Sequence, residues 1–396
     1  MVSVFAILFW LAVGLLLYHF IGYPLLLVAL ARIVAQPIQC KEYLPFVSVI
    51  IAAYNEGGVI KAKLNSVLNS RYPGDRLEVI VAEDGSTDNT VEQITSLADP
   101  RIILDHSDQR GGKMAAMNRA VRRARGEILV FSDANALLHP NALYNLMSNF
   151  ADARVGCASG RKVLAGHTSE LETNENLYWR YESWIKTLEC RLGSSAATSG
   201  ELLAVRRAIY SLPDSAIIND DFQLVVNTVQ QGYRAIYDAT AVTHEAGSDS
   251  MSDELGRKSR IAAGRWQVFG QVLKLSGTRP GFVIKFLSHK ALRLLVGPLM
   301  VLALIGNVGA VALNPMGGAG FTPLIGLHTP WGQLALGGQM GLYALAGLGA
   351  WLDRRGIRFK PAYFAYYFVS AQLAALAGFV RFSSGRQTVL WRKVAR

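Results

Sequence analysis

Between Phe46 and Pro140 short apolar runs alternate with helical patterns, and few architectures accept that order. VSVIIAAY is followed by VIKAKLNSVLNS, LEVIVAE by VEQITSL, RIIL by KMAAMNRAVRRA, and EILVFSD by a helix predicted after Pro140. Strand and helix at this spacing predict an α/β domain with a mostly parallel sheet and helical crossovers. The most informative stretch is VIVAEDGSTD, Val79 to Asp88, where a strand fit for burial on both faces runs straight into a polar turn. Ligands of open α/β sheets sit beyond the carboxyl ends of the strands. Asp84 is therefore expected at a binding crevice, with Ser86 or Asp88 capping the next helix. Acids and amides recur at the other strand ends: Asn55-Glu56 after the first and Asp133-Ala134-Asn135 after the fourth. No GxGxxG follows the first strand and no GxxxxGK[ST] occurs, which disfavours a dinucleotide dehydrogenase and a P-loop NTPase.

Charge divides the chain. The net charge is +11, yet the first 254 residues sum to −6 and the remainder to +17. A basic protein invites a nucleic-acid reading, but here the globular part is acidic and the excess sits among apolar runs. That is the distribution of a membrane protein with basic cytoplasmic flanks. Residues 2 to 31 carry no Lys, Arg, Asp or Glu, enough for a helix to span a hydrocarbon core of about 30 Å, with Pro24 a candidate kink. A cleaved signal peptide is the alternative; the missing basic n-region and the length of the run oppose it. After Glu254, residues Arg257 to Arg293 mix nine basic side chains with Trp266, Phe269, Phe282 and Phe286, as a helix lying on a membrane face would. Apolar runs follow at about 291–313, 332–352 and 361–380. The loop Asp353 to Lys360 carries Arg354, Arg355, Arg358 and Lys360, which places it, and hence the globular part, in the cytoplasm. Four simple crossings would leave the five basic residues of the last sixteen outside, so either the last or the N-terminal run does not simply cross once. The domains expected are an N-terminal transmembrane helix (1–35), an α/β domain (46–254), an interfacial segment (255–290), about three transmembrane helices (291–381) and a basic tail (382–396). Cys40, Cys157 and Cys190 show no metal-ligand spacing and suggest a reducing compartment.

Within the α/β domain, Ser169 to Leu192 reads as an amphipathic helix bearing Tyr178, Trp179, Tyr181 and Trp184, suited to stacking on a sugar, to a membrane interface or to core packing. Ser199 to Arg207 reads as a turn and short strand, and Ile218-Asn219-Asp220-Asp221-Phe222 opens a helix. Capping would explain one of those two carboxylates and does not need both.

Together these motifs resemble membrane-embedded family 2 glycosyltransferases with the GT-A fold, related to synthases of hyaluronan, cellulose, chitin oligomers and poly-N-acetylglucosamine. The resemblance rests on AYNE at 53–56, EDGSTD at 83–88, GGKMAAMN at 111–118, SDAN at 132–135, GELLAVRR at 200–207, NDD at 219–221 and RW at 265–266, in family order. It implies inverting transfer of a sugar from a nucleotide diphosphate donor, with a UDP-sugar expected. Such a displacement needs a base for the acceptor hydroxyl and a divalent cation, Mg²⁺ or Mn²⁺, for the leaving diphosphate.

By the resemblance Asp221 is the general base, with Asp220 beside it in the place usually held by Glu. Two adjacent carboxylates repel, which raises one pKa toward a useful value. Asp133 matches the first acid of a DxD metal motif, and Asn135 stands where its second acid would be. Tyr54, Asn55, Glu56 and Asp84 are implied at the nucleotide, Lys113 at its phosphates, and Gly200, Arg265 and Trp266 at the acceptor and diphosphate. Processive relatives carry QxxRW. Here the stretch is Ala262-Ala263-Gly264-Arg265-Trp266 followed by Gln267, which weakens the case for a polymerase.

The sequence thus predicts an integral membrane enzyme of cell-surface polysaccharide synthesis whose acceptor is a growing glycan or a polyprenyl-phosphate-linked sugar. Its other partners would be the bilayer and polysaccharide-export proteins, with no nucleic acid. The rivals are a single-addition transferase on a polyprenyl-linked acceptor and a catalytically silent nucleotide-binding subunit of an export assembly. A lipid-binding transporter would need polar patterning inside the spans, which is lacking.

Overall fold

The computed structural model describes residues 3–165, 170–212, 217–246, 251–313, 321–357 and 359–385. The basic tail from 386 onward and Arg358 lie outside these residues. The chain divides into two compact units: one of Met1–Leu26, Glu254–Ala263 and Leu287–Ser384, the other chiefly of Leu27–Asp253 and Gly264–Phe286.

The elements follow in chain order. Helices α1 (Val4–Leu17) and α2 (Tyr23–Ile33) come first. Alternation then gives β1 (Val47–Ala53), α3 (Ile60–Leu68), β2 (Leu77–Glu83), α4 (Thr90–Thr95), β3 (Ile102–Asp105), α5 (Lys113–Arg123), β4 (Ile128–Asp133), β5 (Leu137–Leu138) and α6 (Ala142–Ser148). Next are β6 (Val155–Ala165), α7 (Glu170–Arg191), β7 (Leu203–Arg206), α8 (Asp220–Gln230), β8 (Arg234–Ala246), α9 (Met251–Leu273) and α10 (Pro280–Phe286). The chain continues with α11 (Leu292–Leu313), α12 (Phe321–Gly326), α13 (Trp331–Asp353) and α14 (Lys360–Ser383).

The sheet of the second unit has eight strands in the order β3-β2-β1-β4-β7-β6-β8-β5. Strands β3, β2, β1 and β4 are parallel, because a helix joins each of β1, β2 and β3 to the next strand. Strand β7 runs antiparallel between β4 and β6, and β5 antiparallel to β8, so the sheet is mixed. All seven residues of β2 are buried: Val79 to Ala82 form its apolar centre, and the carboxylates of Glu78 and Glu83 are held by Ser48 with Arg125 and by Ser86 with His106. From β1 the chain winds outward through β2 to β3, then returns to the other side of β1 as β4. The carboxyl ends of β1 and β4 therefore flank a topological switch point, where a crevice opens. Register sets what faces it: Ala53 pairs with Glu83 and Ala52 with Asp133, bringing the three strand-end turns side by side.

Among the described residues three helices are long and apolar enough to cross a membrane: Val4–Ile33, Pro280–Leu313 and Lys360–Ser383. The expected run at 332–352 forms a helix, α13, but its glycines and glutamines keep it out of that group. Bare glycine faces make these helices approach closely. A Cβ on Gly349 would lie 2.1 Å from the Ala362 carbonyl oxygen, and one on Gly306 2.7 Å from that of Phe5. The kink expected at Pro24 takes the form of a π-helical turn at Tyr18–Gly22. Proline lacks the N–H and its ring crowds the Phe20 carbonyl four residues back, so the wider turn relieves both. The segment expected to be interfacial, 255–290, comprises most of α9 and then α10, with which the span Pro280–Leu313 begins; its residues to Ala263 group with the first unit and Gly264–Phe286 with the second.

Candidate active site

The turns after β1 and β2 are stitched to each other. Asn55 sits in the left-handed region at φ 55°, which asparagine tolerates at a cost of about 1 kcal/mol. Its N–H donates to Ser86 Oγ at 2.9 Å and its Oδ1 accepts from the Thr87 N–H at 2.8 Å. The Glu56 N–H donates to Thr90 Oγ1 at 2.8 Å. Asn89 holds the N-cap position of α4 without a side-chain bond, and Asp88 just before it accepts the Thr90 N–H at 3.0 Å, whereas Ser86 is spent on Asn55. Tyr54 lies under the Arg110 guanidinium, 3.8 Å from its ring centroid.

Asp84 is fully buried, and each of its oxygens accepts one backbone N–H, Gly111 and Gly112, both at 2.8 Å. It anchors the glycine pair that leads into α5. Gly112 adopts φ 93°, a left-handed conformation open to glycine, and this turn starts the helix at Lys113. A contact from Asp84 to a nucleotide would use the lone pairs left over. Behind it, Glu83 is held by the Ser86 N–H and by His106 Nδ1, both at 2.5 Å.

Lys113, Asp133, Gly200, Asp220 and Asp221 line one cavity, over a floor that includes Ile50, Phe131 and Leu203. The Lys113 ammonium lies 2.8 Å from Asp133 and 3.6 Å from Asp220. Burial works against the charge of Asp133, but Lys113, with Lys162 and Lys63 behind it, holds its pKa below the usual carboxylate value. Asp221 is pushed the other way, up to about 6, by burial first and by the Asp220 carboxylate second. It accepts the Phe222 N–H at 2.8 Å, with Thr198 Oγ1 3.5 Å away. A Cβ on Gly200 would lie 3.4 Å from Asp221, so that glycine leaves the carboxylate open on one side.

Further residues that the motifs did not single out complete the site. Glu245 accepts the Asn135 Nδ2 hydrogen at 2.5 Å and pairs with buried Lys162, which also lies 3.3 Å from Glu201. Lys186 is buried, donating to Ser199 Oγ at 2.9 Å and to the Thr198 carbonyl at 3.2 Å. Of the aromatics on α7, Trp179 lies near both lysines, 5.6 Å from Lys162 and 5.7 Å from Lys186, while Trp184 is exposed. Arg265 and Trp266 are half-buried on α9, where Gln267 Oε1 accepts the Ile218 N–H at 3.1 Å. A glutamine thus reaches the segment before Asp220, from a position five residues beyond the one the processive pattern uses.

Hard oxygen donors suit Mg²⁺ or Mn²⁺, and two are at hand: the Asp133 carboxylate, and the Asn135 amide oxygen, whose nitrogen is committed to Glu245. Among the described residues no group of three or more His, Cys, Asp or Glu side chains could hold a metal. The protein alone therefore offers a partial set, which diphosphate oxygens and water would complete, as Mg²⁺ sites commonly require.

A doubly wound sheet with acids, a lysine and a glycine-led helix at its switch point defines a glycosyltransferase domain of the GT-A type. Its structure is similar to the mannosyltransferase PcManGT from Pyrobaculum calidifontis, solved in complex with GDP-Man and Mn²⁺. The TM-score is 0.71 at 25% identity, covering 96% of this chain and 100% of that one. The family model for glycosyl transferase family 2 matches residues 48–210. Among curated relatives, the beta-monoglucosyldiacylglycerol synthase of Nostoc sp. is 30% identical over 174 residues, 43% of this chain and 37% of that protein. The poly-beta-1,6-N-acetyl-D-glucosamine synthase of Staphylococcus aureus is 25% identical over 229 residues, 56% of this chain and 55% of that one. The chain thus spans about a third to a little over half the length of these two relatives.

Proposed function

We propose that the chain transfers a sugar from a nucleotide diphosphate sugar to a hydroxyl of a saccharide or lipid-linked acceptor, with inversion at the anomeric carbon. The observation that carries this reading is the division of labour among charges in one cavity. Lys113 stands on Asp133 and Asp220, while Asp221 is held near the pKa a base needs at neutral pH. Asp221 takes the proton of the acceptor hydroxyl as its oxygen bonds to the anomeric carbon. The bond from that carbon to the diphosphate oxygen breaks in the same displacement, which inverts the centre. Lys113 moves from its carboxylate partners to the diphosphate, a charge-assisted contact that strengthens as negative charge develops. A divalent cation on Asp133 and Asn135 would supply further neutralisation of the leaving group.

Tyr54, Asn55, Glu56 and Asp84 form the nucleotide side of the site, and Gly200, Arg265 and Trp266 the acceptor and diphosphate side. The metal and a nucleotide diphosphate sugar are supported by the ligands of the solved relative, GDP-Man and Mn²⁺. Alanine at 262, where the processive pattern has glutamine, favours addition of one sugar over polymerisation. The catalytic domain is assigned to the cytoplasmic face, on the basic loop at 353–360.

The test is nucleoside diphosphate release by the protein in native-like membranes across UDP-, GDP- and TDP-sugars with Mg²⁺ or Mn²⁺. Release from one donor, lost in Asp221→Asn, is the expected result. Equal release by Asp221→Asn would exclude Asp221 as the base. Donor binding with no release, acceptors supplied, would favour the silent subunit.

A further inference from the structure

Helix α3 turns Ile60, Lys63, Leu64 and Val67 inward, so one cation stands on an otherwise apolar stripe. Lys63 has no exposed surface. Removing an ammonium from water costs several kcal/mol unless it is well partnered, and an apolar side chain of the same length would fill that channel without the cost. Packing therefore does not account for a lysine there. Its partners do: the ammonium donates to Ser132 Oγ at 2.6 Å and to the Ala136 carbonyl oxygen. Those two residues immediately precede and follow Asp133-Ala134-Asn135. Ser132 Oγ in turn donates to the Glu201 carbonyl at 2.6 Å, tying the same point to the segment that carries Gly200. On the far side of the turn Asn135 donates to Glu245, which Lys162 holds in turn.

We infer that Lys63 is a positioning residue for the donor site. It closes the turn from beneath and fixes the spacing between the Asp133 carboxylate and the Asn135 amide oxygen. Through them it sets the affinity for the nucleoside diphosphate with its divalent cation. The inference rests on the reading of Asp133 and Asn135 given above. Lys63 itself touches neither the sugar nor the diphosphate.

The experiment uses the full chain in nanodiscs, comparing wild type, Lys63→Met and Ser132→Ala. Mn²⁺ uptake in the presence of UDP or GDP is read by electron paramagnetic resonance, alongside thermal melting and separate KM values for donor and acceptor. Lys63→Met keeps the bulk and removes the hydrogen bonds. It is expected to stay folded in the thermal melt, to weaken Mn²⁺ uptake roughly 10- to 100-fold, and to raise donor KM while leaving acceptor KM in place. Ser132→Ala, which deletes one acceptor, is expected to shift the same readouts less far. A folded Lys63→Met with wild-type Mn²⁺ uptake and donor KM overturns the inference. Where that variant fails to fold, wild-type values in Ser132→Ala overturn it instead. Wild type that takes up no Mn²⁺ with either nucleotide removes the reading of Asp133 itself, and this inference with it.

Discussion

Gly264 lies directly against Asn219: a Cβ added to Gly264 would sit 2.6 Å from the Asn219 side-chain carbon. Asn219 precedes the Asp220-Asp221 pair, so α9 sets the start of α8 through a contact that only a glycine allows. Gly264→Ala must push that segment aside. The expected outcome is a fall in turnover on the order of 10- to 100-fold with little change in melting temperature, since small displacements at reacting groups are costly. Steady-state kinetics beside a thermal melt checks it.

The acid limb of the pH profile should report Asp221. Its pKa is raised to about 6, so below that pH the carboxylate is protonated and cannot accept a proton. kcat/KM is expected to fall about tenfold per pH unit below 6. Asp220→Asn removes the second-largest cause and leaves burial and the Glu201 carboxylate, so the limb should move to lower pH without reaching an ordinary aspartate value. The same shift bears on stability. A carboxyl raised in the folded state supports folding fully below the unfolded pKa of 3.8, and that support is lost as pH rises through 6. Asp221→Asn should therefore raise the melting temperature at pH 7.5 relative to wild type, and the gain should vanish near pH 4.

Lys113 lowers the pKa of both Asp133 and Asp221. Lys113→Gln should consequently move the acid limb upward, the opposite direction from Asp220→Asn. It should also weaken binding of the nucleoside diphosphate by roughly 2 kcal/mol, the loss of one charge-assisted contact. Calorimetric titration with UDP or GDP measures the second effect independently of turnover.

Much of this was legible in sequence because short apolar runs alternate with helical patterns, which marks the four parallel strands, and because the Val, Ile and Ala run from Val79 suits a strand buried on both faces. The acids at their ends could be named for the same reason. What the sequence left open is long-range. Nothing local says that β7 enters antiparallel between β4 and β6, because that pairing joins segments about 50 to 75 residues apart. Lys162 and Lys186 look like solvated charges until Glu245, Glu201 and Ser199 are brought to them by the fold. Lys63 did carry a local signal, a charge at a helical position shared with Ile60, Leu64 and Val67. The helix at 332–352 reads as a span from length and apolarity; its glycines, of which Gly332 and Gly349 meet neighbouring backbone closely, lower the hydropathy on which a span is recognised.

Asn135 gives the sharpest contrast between sequence and structure. By sequence it is an acid missing from a metal motif, so Asn135→Asp would be expected to restore metal affinity. Its amide nitrogen, however, donates to Glu245, which is buried and shared with Lys162. An aspartate there would set two carboxylates against each other with one ammonium between them, leaving a buried acceptor without its donor at a cost of about 1 to 3 kcal/mol. Asn135→Asp is thus expected to lower the melting temperature and to reduce activity at saturating Mn²⁺. The double variant Asn135→Asp with Glu245→Gln restores one donor and one acceptor to the pair and should recover stability. Thermal melts and Mn²⁺ titrations of the two single variants and the double form a mutant cycle. Tighter Mn²⁺ binding with full activity in Asn135→Asp alone would show that the amide is a weakened acid after all, and that Glu245 is free to turn away.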